Sequence, residues 1–411
     1  MRIDLDRLMG ERGLDWLLVL GEPARSPEVH YLVRGAGVGF SYILVRRGNE
    51  PFLIVGPMER EEAKAAGLPL ATLNEYGAGD IARQAPNPLE YERRLLNHIL
   101  VAHEVRGRVA VYGQRPVQRA YPLLRLVAED RRLDLGLVDE PDLDIFQIAR
   151  LTKAPEEVAR IREVGRKTCE IVRTVVDFLG DGRVEGGVLR RRDGSPVKVG
   201  DVKALVTLEC ARRRLEEGGE TIFAPARDAA FPHSRGRDED PIPAGRAIIF
   251  DIFPREKNGG YHFDMTRTFC LGPMPERVRA IYELVREAQA RAVAAIAPGV
   301  PTRDVDELVC DLFEAAGHPT LRKDSKTTSG YCHSLGHGVG LELHERPKVS
   351  QLPTNKDVFQ PGMIVTVEPG LYYPDEGIGA RVEDTVHVCE DGAVEDLTPY
   401  PKDPAIAVEG T

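Results

Sequence analysis

The sequence lacks any apolar run long enough to cross a membrane. A membrane-spanning helix needs about 18 or more consecutive apolar residues, and no stretch of the chain reaches that length. The first residues, MRIDLDRLMGERGLDW, carry charges throughout and lack the apolar segment of a signal peptide. We therefore expect a cytoplasmic protein without a membrane partner.

Closely spaced cysteine pairs are also missing. The six cysteines lie far apart in the chain, and none belongs to a CxxC or zinc-ribbon pattern. This spacing is not typical of a disulfide framework or of a structural zinc site. We therefore expect all six cysteines to be reduced.

The chain has no excess of positive charge. Its 55 basic residues stand against 65 acidic residues, which gives a formal net charge of −10. Because binding to phosphates requires a basic surface, this balance argues against a nucleic-acid partner. Peptides or small molecules are substrates that fit the composition better.

The chain does have enough apolar material for two cores. Its 411 residues, 42% of them hydrophobic, exceed the size of about 250–300 residues at which single cores stop growing. Over residues 1–150, strand-like runs such as WLLVLG and RVAVYG alternate with charged helical segments, which indicates an α/β domain. This part has no concentrated set of histidines, cysteines and carboxylates, so we interpret it as a scaffold or oligomerisation domain.

A change of pattern near residue 150 predicts a second domain over 151–411. Helical patterns begin at KAPEEVARIREVGRK and recur at 201–217, 276–297 and 302–316. Strand patterns lie between and after them, at RAIIFDIF, YHFDMTRTFCLG, MIVTVEPGLYY and ARVEDTVHVCE. Strands joined by hairpins indicate an α+β domain with an antiparallel sheet. The segment 182–199, rich in Gly, Arg and Lys, is predicted to be a loop or an insertion.

Two aspartates stand at the ends of predicted strands. Asp251 ends the apolar run 247–250, and Asp264 opens the alternation Asp264, Thr266, Thr268 after a Gly-Gly turn. A hairpin would place both carboxylates on one face of the sheet. Facing carboxylates repel unless a proton or a cation lies between them, and hard divalent ions prefer such oxygen ligands. Taken singly, each aspartate also suits a turn or cap position.

The segment HSLGHGVGLELHERP holds three of the ten histidines. His333 and His337 are four residues apart, but each nearby glycine would cost a helix about 1 kcal/mol, so we predict a loop and a strand. Glycines beside a histidine would let the backbone approach a ligand closely. The alternative is a flexible loop with histidines on the surface.

Two glutamates lie in or after predicted strands. Glu368 follows the strand pattern VTV, and the alternation in ARVEDTVHV places Arg381 and Glu383 on one face and Asp384 on the other. Burying such groups without partners is costly, so they either pair with a cation or lie on edge strands. Two aspartates, one histidine and two glutamates together suit a pair of manganese, cobalt or zinc ions.

These segments, in this order, resemble the pita-bread metallopeptidases, which include aminopeptidase P, prolidase and, more distantly, methionine aminopeptidase and creatinase. The resemblance covers essentially the whole chain and implies an α+β pita-bread domain preceded by an α/β creatinase-like N-terminal domain. It implies that two divalent metal ions (Mn, Co or Zn) are held by five residues, Asp251, Asp264, His337, Glu368 and Glu383. It also implies substrate contacts from His233, His333 and His344 and support of the site from Arg381. In this chain the two aspartates are two residues further apart than is common in the family, and an even difference keeps both on one face.

The resemblance implies hydrolysis of the peptide bond that precedes proline. A water shared by the two metal ions would attack the carbonyl, and Glu368 would take its proton and pass it to the leaving nitrogen. His344 and His233 would stabilise the oxyanion and hold the substrate. A homodimer is also implied, in which the N-terminal domain of one subunit borders the active site of the other. The alternatives are a creatinase-like amidinohydrolase and a catalytically dead module that binds peptides.

An Xaa-Pro dipeptidase and an aminopeptidase P share this metal centre and differ in how much of the substrate lies beyond proline. A dipeptidase must bind a free carboxylate, for which a basic side chain is the simplest device. Prolidases of one branch carry an arginine four residues after the second active-site histidine. That position is Lys348 here, and Arg346 lies two residues earlier. We favour an Xaa-Pro dipeptidase, with aminopeptidase P as the alternative.

Overall fold

The computed structural model of the chain describes residues 3–130, 133–138, 140 and 143–411. The chain forms two compact units, the first of Met1–Arg150 with Lys257–Gly260 and the second of Leu151–Glu256 with Tyr261–Thr411. Each unit buries an apolar core of its own. Among the helices in the described segments, none combines the length and the apolar character needed to cross a bilayer.

The first unit is an α/β domain built around a six-stranded sheet. Its helices are α1 (Ile3–Arg12), α2 (Pro27–Val33), α3 (Arg60–Ala63), α4 (Ala78–Gln84), α5 (Pro88–Ala102), α6 (Val117–Ala128) and α7 (Ile145–Ala149), and its strands are β1 (Trp16–Gly21), β2 (Ser41–Arg46), β3 (Phe52–Val55), β4 (Leu70–Thr72), β5 (Gly107–Tyr112) and β6 (Leu135–Leu137). The strand order is β4-β3-β2-β1-β5-β6. The central strand β1 pairs antiparallel with β2 and parallel with β5. All of its residues are buried, as expected for an apolar run inside such a domain.

The second unit combines long helices with mainly antiparallel strands. Its helices are α8 (Pro155–Gly180), α9 (Val199–Arg212), α10 (Glu276–Ala295) and α11 (Thr302–Ala315), and its strands are β7 (Arg183–Glu185), β8 (Val188–Arg190), β9 (Leu215–Glu217), β10 (Ile222–Pro225), β11 (Ile248–Ile252), β12 (Pro254–Glu256), β13 (Met265–Leu271), β14 (Gly336–Gly338), β15 (Glu345–Val349), β16 (Ile364–Val367), β17 (Gly370–Tyr373), β18 (Ile378–Arg381), β19 (Asp384–Val388), β20 (Val394–Asp396) and β21 (Ala405–Ile406). One sheet has the order β10-β11-β13-β21 and another the order β15-β14-β16-β19-β20. This architecture is the α+β class that the strand and helix patterns predict.

The helices of this unit follow the sequence signals at their ends and on their buried faces. Pro155 begins α8, and an acidic first turn follows it, where the helix dipole favours negative charge. Helix α10 buries Val278, Ile281 and Val285, which recur at helical spacing. Gly317 follows α11 with φ of 84°, a backbone conformation that suits glycine after a helix.

The helix predicted over 201–217 is shorter in the structure, because α9 ends at Arg212. Arg214 has φ of 59°, which is not helical. The residues Leu215–Glu217 instead form β9 and pair antiparallel with β12. Leu215 is buried, and pairing with a partner strand outweighs helix propensity, which is a weak preference.

The segment 182–199, predicted to be a loop or an insertion, contains the hairpin of β7 and β8. Gly186 and Gly187 form its two-residue turn with φ of 63° and 76°. Two successive positive φ angles match the right-handed twist of the strands and strongly favour glycine. The loop prediction is therefore wrong for 183–190, where each strand is only three residues long.

The connection between β11 and β13 is longer than a simple hairpin turn. Strand β12 lies within it and pairs with β9 rather than with β13. The residues Lys257–Gly260 belong to the first unit, where Gly259 has φ of 80° and lies so close to Pro23 that a Cβ atom would overlap its carbonyl oxygen. The extra residues between the two aspartates lie in this connection, and β11 and β13 keep their antiparallel register.

Candidate metal centre

Strands β11 and β13 bring Asp251 and Asp264 to one face of their sheet. Asp251 pairs with Thr266 across the ladder, and Asp264 precedes Thr266 by two residues, so all three side chains point to the same side. Both aspartates are buried. Arg381 donates a hydrogen bond of 2.5 Å to Oδ2 of Asp251. The Oδ1 atoms of both aspartates are buried and have no hydrogen-bond partner within the described part of the chain.

Glu383 reaches the same face from the break between β18 and β19. It is 2% exposed, and its Oε2 accepts a 2.7 Å hydrogen bond from the hydroxyl of Thr266. The next residue, Asp384, points the other way and accepts a 2.8 Å hydrogen bond from Arg267. This opposite orientation is the one that strict alternation of side chains along a strand requires.

His337 and Glu368 come from the neighbouring sheet. Nε2 of His337, in the middle of β14, lies 3.3 Å from Oε1 of Glu368 and 3.7 Å from Oδ2 of Asp264. Glu368 directly follows β16. One ligand atom each of Asp264, His337 and Glu383 lies within 4.8 Å of the other two. Residues from four separate parts of the chain thus converge on one point.

The glycines on either side of His337 have a structural reason other than the one predicted. A Cβ atom at Gly336 would overlap the carbonyl oxygen of Thr366, and one at Gly338 would overlap that of Arg346. The glycines therefore let β14 pack closely against β16 and β15, whereas we expected them to let the backbone approach a ligand. Their effect on the site is indirect, because this close packing sets the position of His337.

Burial makes it costly to keep the carboxylates ionised. It raises the pKa of Asp251, an effect that the charge of Arg381 opposes. Burial, followed by the charges of Glu383 and Asp251, raises the pKa of Asp264 well above its usual range. The pKa of Glu383 is also raised well above its usual range, by burial and then by the charge of Glu368. A divalent cation fits this group of residues, since it would offset the repulsion and coordinate the unpartnered oxygens.

The buried guanidinium of Arg381 organises one side of the cluster. Besides Asp251, it donates hydrogen bonds to the hydroxyl of Tyr372 at 2.8 Å and to the hydroxyl of Thr266 at 3.1 Å. Tyr372 in turn lies 3.1 Å from Nε2 of His333. Sequence reasoning did not assign Thr266 or Tyr372 to the site. The alternation that starts at Asp264 could have indicated Thr266, whereas Tyr372 has no comparable signal in GLYY.

A cavity of about 820 Å³ opens over the cluster. It is lined by all five predicted metal ligands and by five of the six other predicted site residues, namely His233, His333, His344, Lys348 and Arg381. The rings of His344 and His337 lie 4.3 Å apart between centroids and are nearly perpendicular, at 76°. His233 is exposed. The cavity therefore has imidazole groups in its lining together with a cluster of carboxylates.

Lys348 and Arg346 differ in their surroundings. Lys348 lies directly opposite His337 in the pairing of β14 and β15 and lines the cavity. Arg346 does not belong to the described cavity lining, and its guanidinium donates a hydrogen bond of 2.5 Å to Asp357. The prediction that Arg346 could replace Lys348 near a substrate therefore has less support from the geometry.

Comparison with known families gives this arrangement a context. The family model of metallopeptidase family M24 matches residues 159–390, which is more than half of the chain and includes all five residues of the cluster. The chain belongs to metallopeptidase family M24. It is therefore a metal-dependent peptidase, and the predicted resemblance is confirmed.

Individual members of family M24 are similar to this chain over nearly its full length. An Xaa-Pro dipeptidase of Pyrococcus furiosus is 29% identical over 394 residues, which cover 95% of this chain and 95% of the relative. The prolidase structure from Pyrococcus furiosus has a TM-score of 0.73 and 26% identity, covering 96% of this chain and 99% of that one. An X-Pro aminopeptidase structure from Thermotoga maritima shares the fold, with a TM-score of 0.76 at 20% identity over 98% of this chain and 99% of that one. The predicted fold, a pita-bread catalytic domain preceded by an α/β domain, is confirmed.

Proposed function

We propose that this M24 peptidase hydrolyses the peptide bond before proline in Xaa-Pro dipeptides and uses two divalent metal ions. One observation carries the proposal: three buried carboxylates, the partly exposed carboxylate of Glu368 and one histidine converge beneath a cavity lined by further histidines. The proposed metal ligands are Asp251, Asp264, His337, Glu368 and Glu383. Oxygen ligands with a single imidazole suit manganese, cobalt or zinc.

The residues around the cavity supply the steps of hydrolysis. Two metal ions held by these five residues would lower the pKa of a bound water and would polarise the substrate carbonyl. Glu368, whose side chain is 18% exposed, is open enough to the cavity to take a proton from the attacking water and pass it to the leaving nitrogen. His344 and His233 donate hydrogen bonds to the oxygen on which negative charge develops. His333, hydrogen-bonded to Tyr372, also holds the substrate.

Two observations support a preference for dipeptides. The Pyrococcus furiosus relative that matches 95% of the chain is an Xaa-Pro dipeptidase. Within this chain, Lys348 lines the cavity beside His337, where its ammonium group can bind the free carboxylate of a C-terminal proline. Arg381, which is buried and bonded to Asp251, keeps the role of supporting the metal ligands.

A series of peptides tests this proposal. Cleavage of an Xaa-Pro dipeptide should exceed cleavage of the same sequence extended by one or two residues, and an Xaa-Ala dipeptide should be a poor substrate. Equal or better cleavage of the extended peptides would favour aminopeptidase P activity. No cleavage of any of them by metal-loaded protein would favour a catalytically dead binding module.

We further propose that the protein works in the cytoplasm as a homodimer. The dimer follows from resemblance to the family, and a reducing compartment agrees with the six free cysteines in the structure. Light scattering at micromolar concentration should give twice the chain mass of 45.5 kDa. A mass equal to one chain would contradict the dimer.

A further inference from the structure

A second cluster of metal-ligating side chains lies on the hairpin of β19 and β20. His387 stands directly opposite Glu395 in the register of the two strands. Cys389 follows His387 by two residues, so its side chain lies on the same face. One ligand atom from each of the three residues lies within 4.8 Å of the other two. All three side chains are partly exposed, so an ion could reach them from solvent.

Two of the three distances between ligand atoms in this cluster match those of a tetrahedral metal site. Sγ of Cys389 lies 3.6 Å from Nδ1 of His387, and Nδ1 lies 3.3 Å from Oε2 of Glu395. Zinc bonds to sulfur measure about 2.3 Å and those to nitrogen and oxygen about 2.0–2.1 Å. With tetrahedral angles, these bonds separate sulfur from nitrogen by about 3.5 Å and nitrogen from oxygen by about 3.3 Å. These two separations therefore agree with those of a tetrahedral ion site, and the third pair of ligand atoms lies within 4.8 Å.

A hydrogen-bonded Cys-His-Glu relay is the competing interpretation. In such a relay, the nucleophile and the orienting carboxylate bind opposite nitrogens of the imidazole ring. Here Sγ of Cys389 and Oε2 of Glu395 both face Nδ1 of His387. When Nδ1 carries the proton it donates to Glu395, and the thiol of Cys389 then donates to the backbone carbonyl of His387 at 3.9 Å, so no proton path runs from Sγ through the ring to the carboxylate. Three atoms that converge on one point suit a cation better than a proton relay.

We propose that His387, Cys389 and Glu395 bind a zinc-like divalent ion, with water completing the coordination. The thiolate makes this site selective for borderline ions such as zinc, cobalt or cadmium, and poor for manganese or magnesium. It is chemically distinct from the sulfur-free ligand set beneath the cavity. The site goes beyond the proposed peptidase function and does not depend on it. Cysteine spacing alone gave no sign of it, because the other two ligands are a histidine and a glutamate.

Arg162 is the group that competes with an ion for Glu395. Its guanidinium donates hydrogen bonds of 3.0 Å to Oε1 and 2.8 Å to Oε2 of Glu395. The Arg162 side chain is 46% exposed, so it can turn towards solvent at little cost. The Oε2 atom would then be free to coordinate the ion.

Cobalt binding to the full-length protein tests the proposal. Cobalt coordinated by a thiolate gives a near-ultraviolet charge-transfer band, whereas cobalt in the carboxylate and histidine site does not. We expect this band in wild-type protein, its loss in Cys389→Ser, and its displacement by added zinc. Cys332→Ser, at the other partly exposed cysteine, is the matched control and should keep the band.

Two further outcomes decide between an ion site and a simple hydrogen-bonded cluster. Arg162→Gln removes a competing positive charge and should strengthen the band at subsaturating cobalt. Cys389→Ser should also bind one equivalent of zinc less than wild type while its circular dichroism is unchanged. A wild-type protein without the band at saturating cobalt, or a band that survives Cys389→Ser, would overturn the proposal.

Discussion

Among the residues that the structure describes, Arg381 is the one buried arginine whose guanidinium is hydrogen-bonded to a carboxylate of the four at the centre of the second unit. A buried charge without a compensating partner costs several kcal/mol. These carboxylates therefore destabilise the folded state unless a proton or a cation compensates them. Burial accordingly raises the pKa values of Asp264 and Glu383 well above their usual range. Protonation or bound metal can resolve the repulsion, and membership of a metallopeptidase family favours metal.

Glu368 is the residue at which we expect the largest loss of activity. In Glu368→Gln the side chain can no longer accept a proton from water, so kcat for an Xaa-Pro dipeptide should fall by about 10²–10⁴-fold. Circular dichroism should show an unchanged fold. Glu376→Gln is the matched control, because Glu376 is exposed and pairs with Arg277 outside the cavity. A Glu368→Gln protein with wild-type kcat would rule out this residue as the proton carrier.

Lys348 should determine the preference for dipeptides. A hydrogen bond between charged groups contributes about 1.5–3 kcal/mol, so Lys348→Ala should lower kcat/KM for an Xaa-Pro dipeptide by about 10–100-fold. Cleavage of a peptide extended beyond proline should not change, since its carboxylate lies elsewhere. Arg346→Ala is the control and should affect neither substrate, because Arg346 is bonded to Asp357. Unchanged dipeptide kinetics in Lys348→Ala would favour an aminopeptidase P.

Among secondary-structure elements, helices were more predictable from the sequence than strand pairings. The apolar spacing of α10 and the proline at the start of α8 are local signals, and both helices form where they indicate. The end of α9 and the hairpin of β7 and β8 depend on partners that are distant in the chain or on very short strands. Local propensity is too weak to predict such pairings.

Helix α11 is held to the chain around the metal centre by a buried carboxyl group. Asp306 on α11 is 1% exposed and accepts hydrogen bonds of 2.6 Å from the hydroxyl of Tyr331 and 2.7 Å from the backbone of Gln351. Burial raises the pKa of Asp306 to about 7. In the unfolded chain an aspartate titrates near its ordinary value of about 3.9. The folded state therefore holds a proton that the unfolded chain releases between these two values.

This difference predicts how stability depends on pH. As pH rises from about 4 to about 7, the unfolded state binds fewer protons than the folded state, so Asp306 lowers the free energy of unfolding. Over this pH range, Asp306 lowers the free energy of unfolding by at most about 4 kcal/mol. Asp306→Asn cannot ionise, so its Tm relative to wild type should increase as the pH is raised from 5 to 8. Asp311→Asn, at an exposed position on the same helix, should show no such trend. A Tm difference independent of pH would contradict the assignment.

At the scale of the whole molecule, the five proposed ligands come from residues 251 to 383 and meet only after two sheets have formed. Strand alternation indicated which carboxylates share a face, and it correctly oriented Asp251, Asp264 and Glu383. It could not indicate that the two sheets meet, and resemblance to a family supplied that step. The supporting contacts of Tyr372 and Asp306 remained hidden, because they depend on packing between elements and not on a repeating pattern.

Metal content measured together with activity tests the central claim most directly. Protein stripped by a chelator should lose Xaa-Pro dipeptidase activity, and activity should return in proportion to bound manganese up to two equivalents per chain. Manganese is the appropriate ion because a site with a thiolate ligand binds it poorly, so the hairpin cluster should not add to the count. Full activity without metal, or less than one equivalent after reconstitution, would contradict the proposal of a two-metal peptidase.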